Sequence, residues 1–179
     1  VEVVQVSRAA VALAVVVLAA SCADPSRASA FLEGSLGQLM DLGYDRVRVQ
    51  LAPDDVALLF VRVHPLSAGA DGGVAGAGAL EDYPFKVGLQ RWGRELDAGL
   101  EQDLAEESPA GTQRGSFTRD VQGDPRKSFP RCFRGGLRFE APLVAGSTVR
   151  GDFHVTFENG IETASGRTVF GSFTAEVMP

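Results

Sequence analysis

The sequence predicts an all-β domain, two antiparallel sheets packed face to face in an immunoglobulin-like sandwich, with a small closed barrel as the alternative. Three observations carry this. Apolar and polar residues alternate with a period of two in several segments. A short pattern of the form Gly-x-Phe-x-x-x-Val/Phe recurs at Gly115, Gly151 and Gly171. No long stretch has the 3.6-residue apolar period of an amphipathic helix.

The elements follow in order. Residues 31 to 43 contain three glycines among Leu36, Leu39 and Met40, and read as a strand or an irregular lead-in with one helical turn. From Tyr44, Val47, Val49 and Leu51 alternate with Arg46, Arg48 and Gln50, as in a half-buried strand. Pro53-Asp54-Asp55 is turn chemistry. Residues 56 to 63 are apolar on both faces, which predicts a central strand paired with the previous one.

Residues 65 to 82 hold Pro65 and a Gly/Ala-rich run with no period. Too little apolar surface is present to offset the entropy of ordering, so a mobile surface loop is expected. Its glycines match neither dinucleotide nor nucleotide-phosphate spacing, and no Lys-Ser/Thr follows. Phe85, Val87 and Leu89 resume the strand pattern, and the acidic stretch from 94 to 113 reads as a loop or short helix.

The C-terminal third is the most regular. Phe153, Val155 and Phe157 point one way, with Asp152, His154 and Thr156 the other. Phe173, Ala175 and Val177 repeat the inward set. Glu158-Asn159-Gly160 opens a turn and Ser165-Gly166 closes it, so 148–157 and 167–177 form a hairpin. Leu137 and Phe139 add a short strand after an irregular crossing rich in Pro and Arg, for roughly seven or eight strands in all.

The N-terminal segment carries an address. Residues 9 to 20 are uncharged and apolar, a run of 12. That is short of the roughly 20 needed to span a bilayer but suits the hydrophobic region of a signal peptide, with Arg8 as a positive flank. The run ends in Leu18-Ala19-Ala20-Ser21-Cys22, which looks like a lipobox. Small residues there let the backbone enter a narrow peptidase site. Leu18 stands one place early, with Ala19 where Leu is commoner. The expectation is cleavage before Cys22 and a diacylglycerol on its sulfur. Domains are then a signal peptide over 1–21, a lipidated cysteine, tether and lead-in over 22–43, and the β domain over 44–179.

Together with the lipobox, the C-terminal segments Phe157-Glu-Asn-Gly and Gly166-Arg-Thr-Val-Phe-Gly-Ser-Phe resemble uncharacterised lipoproteins of GC-rich bacteria such as myxobacteria. The resemblance covers about the last 30 residues and the lipobox. It implies an envelope address and no particular activity.

Composition narrows the function classes. At a net charge of −6 a basic footprint for nucleic acid is absent, and anionic membrane surfaces would not attract the chain. Cys22 and Cys132 are the two cysteines, so lipidation of Cys22 leaves Cys132 alone, and a bridge between them is the rival. Cys132 lies between Arg131 and Arg134, a setting that favours a thiolate, but no base is near in sequence and a passive thiol is expected. His64 and His154 sit in no metal-binding spacing and read as structural. Arg150-Gly151-Asp152 opens a strand rather than tipping a loop, which argues against recognition of that tripeptide. Asp54, Asp55, Asp120, Asp124 and Glu158 are the carboxylates that sheet ends would have to gather for calcium or for hydrolysis.

The expectation is therefore a lipid-anchored envelope protein with no catalytic residues, metal or cofactor. It touches the membrane through its lipid and binds or scaffolds an envelope protein or glycan, without nucleic acid. An envelope hydrolase and a carrier of an apolar ligand are the rivals.

Overall fold

A computed structural model describes residues 30–64 and 80–179. Cys22, the apolar run before it and most of the Gly/Ala-rich segment lie outside the described residues.

Among the described residues ten strands form: β1 (Phe31–Glu33), β2 (Arg46–Leu51), β3 (Asp55–His64), β4 (Leu80–Gln90), β5 (Glu101–Asp103), β6 (Gly115–Asp120), β7 (Lys127–Ser128), β8 (Cys132–Phe139), β9 (Thr148–Phe157) and β10 (Thr168–Met178). They make one sheet in the order β5-β8-β9-β10-β2-β3-β4-β6-β7, with β1 added to β10. Among the described residues, no helix is long and apolar enough to cross a membrane.

The all-β class is as the alternation requires. The two halves of the sheet face each other across the core as sandwich layers do. Their backbone pairing is nevertheless continuous, which is the curled, partly closed barrel of the alternative. The segment after β5 crosses the remaining gap. Leu104 N–H donates to the Gly135 carbonyl of β8, and the Leu104 carbonyl accepts from Gly115 N–H of β6, each at 2.9 Å.

One pair departs from the antiparallel expectation. β10 runs parallel to β2, with Glu176 opposite Arg48 and Met178 opposite Gln50. The same edge of β10 first pairs antiparallel with β1, Phe31 opposite Ser172. Two N-terminal strands thus share one edge of the last strand. The lead-in is part of the sheet, and it includes a 3-10 turn over Ser35–Gln38.

The other differences are local. Leu80, Glu81 and Asp82 belong to β4 rather than to the loop. The acidic stretch holds the short strand β5 and no helix. β8 begins at Cys132, five residues before Leu137. Its start is disguised by a register shift between Cys132 and Arg134, where the extra residue Phe133 faces out. The predicted hairpin is present as β9 and β10, with Phe153, Val155, Phe157, Phe173, Ala175 and Val177 all buried.

Phenylalanines fill the interior. The rings of Phe60, Phe85, Phe117, Phe129, Phe153 and Phe157 meet at centroid separations of 5.3 to 6.4 Å, tilted, stacked or edge-on. They come from both halves of the sheet, so burying them holds the curl closed. Among the described residues the core and the apolar side chains packed on it run from Leu32 to Val177. A chain beginning at Ala23 therefore keeps that whole core.

Candidate functional site: a basic cleft at one barrel end

The strand directions place the β1–β2 connection, the β6–β7 turn and the β9–β10 turn at one end of the barrel. Residues 34 to 45 fold over that end, and Leu36 and Leu42 plug it. Gly34 makes the entry possible. Its φ of +135° is open to glycine, and a β-carbon would run into the Thr168 carbonyl. The Ser35 hydroxyl then accepts the Thr168 N–H at 2.9 Å and fixes this cap to β10.

A proline prepares the opposite wall. Pro84 lies in β4 between β3 and β6, where it has no N–H to give to the ladder. The register slips on both sides at this point, between Phe60 and Arg62 and between Tyr83 and Lys86. The Pro84 carbonyl is left for Arg119.

Arg119 follows Gly115 and Phe117 on the inward face of β6. It is nine-tenths buried. Its Nη1 donates to the Asp41 carbonyl at 2.8 Å and to Pro84 at 3.4 Å, and its Nη2 reaches Asp124 at 3.4 Å. Arg119 thus ties the cap to β6.

Between cap and turn lies a cleft of about 540 Å³. Leu39, Met40 and Asp41 form the cap side, and Asp124, Pro125, Arg126 and Lys127 the turn side, with Arg119 between them. Arg126 also borders a smaller hollow of about 170 Å³ with Tyr83, Lys86 and Asp120. Asp41 is already engaged by the Gly43 N–H at 2.8 Å and by Arg62 at 2.7 Å. The Gly43 N–H and, despite some burial, the Arg62 guanidinium hold its carboxyl below the usual range. Arg126 has no hydrogen bond or ion pair among the described residues, and Lys127 rests over the Phe129 ring at 5.9 Å.

The predicted chemistry is distributed differently. Cys132 is buried, and its thiol is pushed up to about 12 by burial and by the Asp103 charge. Its arginine neighbours do not activate it, because Arg131 turns away to Glu107 and Arg134 faces solvent. His154 lies on the wet face, 4.0 Å from Glu101. Asp152 pairs with Arg138, which puts the Arg150-Gly151-Asp152 tripeptide in the middle of β9 between two strands. Asp54 and Asp55 are at the far end from Asp120, Asp124 and Glu158. Among the described residues no three metal-ligating side chains lie close enough to hold an ion.

His64 is the exception to a plain structural reading. Its Nε2 meets the buried Asp82 carboxylate, whereas a serine-type triad sets the carboxylate on Nδ1. Among the described residues no hydroxyl or thiol bonds to its other nitrogen. Arg119 is the functional candidate that periodicity should have exposed. A charge in the inward series Gly115, Phe117, Arg119 breaks the pattern, and such a break marks a buried polar site.

No family model, curated protein or solved structure matches the chain.

Proposed function

We propose that this chain is a lipid-anchored envelope protein whose barrel is a non-catalytic binding module. The observation that carries the binding reading is the cleft between Leu39–Asp41 and Asp124–Lys127, with a buried arginine at its back. Concave sites with a few convergent polar groups beside apolar walls are where ligands settle. The rest of the barrel favours binding over catalysis. Among the described residues its carboxylates are dispersed, its thiol is buried, and the His64–Asp82 pair has no nucleophile beside it.

The anchor reading rests on the lipobox and the single thiol left in the barrel. Two acyl chains on Cys22 would give stable attachment, because each buried methylene adds about 0.8 kcal/mol. The barrel would then stand in the envelope with its cleft open to a ligand there. Mass spectrometry of the membrane fraction tests the anchor. The expected species begins at Cys22 and carries the mass of a diacylglycerol; an unmodified thiol at Cys22 would sink it.

A further inference from the structure

We propose that the cleft takes an amphiphilic anion, a carboxylate or phosphate group on a single aliphatic chain. The anion would sit against Arg119, Arg126 and Lys127, and the chain would lie along Leu39 and Met40. This rests on reading the barrel as a binding module and names the ligand class of that site.

Two buried arginines in the barrel make the argument by contrast. Arg114, near the other end, is fully served. It donates to the Gln90 carbonyl, Glu106 and Gln102 at 3.1, 3.1 and 2.9 Å. Arg119 is buried to a similar degree but has one short bond, to the Asp41 carbonyl, and two contacts at 3.4 Å. A guanidinium carries five N–H donors, and its preferred partner is a bidentate carboxylate or phosphate. Among the described residues Asp124 is the only carboxylate to reach it within bonding distance, and Asp124 is more than half exposed. Arg119 therefore faces the cleft with donors to spare.

The surroundings add charge of the same sign. Arg126 and Lys127 line the cleft beside Arg119, three cations against Asp41 and Asp124. The overall charge of −6 conceals this local reversal. Asp41 offsets it only in part, since that carboxylate is shared with Arg62. A cation is repelled here, and a neutral apolar ligand would leave the Arg119 donors unmet.

The cap side supplies the second half. Leu39 is 38% exposed beside Met40, an accessible apolar wall directly facing the cations. A bare inorganic anion would not use it. The barrel interior is occupied by the phenylalanine rings, so the chain of the ligand lies in the cleft and not in the core.

The test uses the chain beginning at Ala23 and amide chemical shifts of Leu39–Asp41, Arg126 and Lys127 as the readout. Five probes are titrated: octyl phosphate, octanoate, inorganic phosphate, octyltrimethylammonium and octyl glucoside. Octyl phosphate or octanoate should saturate these shifts, at concentrations at least about tenfold lower than inorganic phosphate. The double variant Arg126→Gln, Lys127→Gln should bind about tenfold more weakly without losing its fold. Leu39→Ser should weaken the alkyl anions and leave inorganic phosphate unchanged. Equal binding of octyltrimethylammonium, or unchanged binding by the double variant, would overturn the proposal. Shifts with octyl glucoside but with neither alkyl anion would overturn the anion and leave the binding module standing. No shift with any of the five would overturn both.

Discussion

The Nε2 of His64 lies 2.6 Å from Oδ2 of Asp82, joining the last residue of β3 to the start of β4. The Asp82 side chain is 5% exposed, and its other oxygen accepts the Gln122 N–H at 2.8 Å. Burial alone would raise this carboxyl. The Gln122 N–H and His64 together outweigh burial and hold it below its usual 3.8. Its contribution to stability is therefore complete above that value and is lost as the pH falls through the lower folded-state value. Urea unfolding from pH 7 down to about 2.5 should show stability dropping below about pH 4. Asp82→Asn should cost about 1–3 kcal/mol at pH 7 and make the acid limb shallower. An unchanged acid limb would remove Asp82 from this account.

Cys132 should be inert in the folded protein. With its thiol pushed up to about 12, almost no thiolate exists at pH 8. In a chain beginning at Ala23, a disulfide reagent should find no reactive thiol until denaturant is added, and then find one. Rapid reaction without denaturant would contradict the buried placement.

Two phenylalanines of the same composition class should behave oppositely. Phe85 is fully buried and touches the rings of Phe60, Phe117, Phe129 and Phe153, so Phe85→Ala should cost about 3–5 kcal/mol. Phe133 is 69% exposed at the β8 bulge, and Phe133→Ala should stay within about 0.5 kcal/mol. Denaturant midpoints of the two variants measure the difference directly.

Gly151 should tolerate nothing larger. A β-carbon there would strike the Arg138 carbonyl on β8 and the Phe173 ring on β10. Gly151→Ala should therefore destabilise by about 1–3 kcal/mol as the strands are forced apart. Asp152→Ala, which removes an exposed pair with Arg138, should change stability by less than about 1 kcal/mol. Thermal melts of both variants separate a packing glycine from a recognition motif.

Alternation revealed the strands with one wet face. The β9–β10 hairpin was legible residue by residue because Phe153 through Val177 repeat with a strict period of two. β3 was legible as central because both its faces are apolar. What alternation could not show was pairing between distant segments. Nothing local in Phe31–Glu33 or Arg46–Leu51 says that both lie on one edge of β10, one antiparallel and the other parallel. The start of β8 escapes alternation because its bulge at Phe133 shifts the period. The cleft was hidden for a related reason. Its walls come from Leu39–Asp41, Arg119 and Asp124–Lys127, and only the fold makes them neighbours.

The sharing of the β10 edge has a kinetic consequence. Phe31 waits for Ser172, and Arg48 waits for Glu176. Closing loops of that length is entropically slow, so docking of the first strands belongs late in folding. Until Thr168–Met178 emerge, β1, β2 and β9 each present an unpaired edge, and the cap over Leu36 lacks its contact with Thr168. The nascent chain is thus exposed to edge-to-edge association until β10 is delivered, and the cleft becomes competent only at that moment.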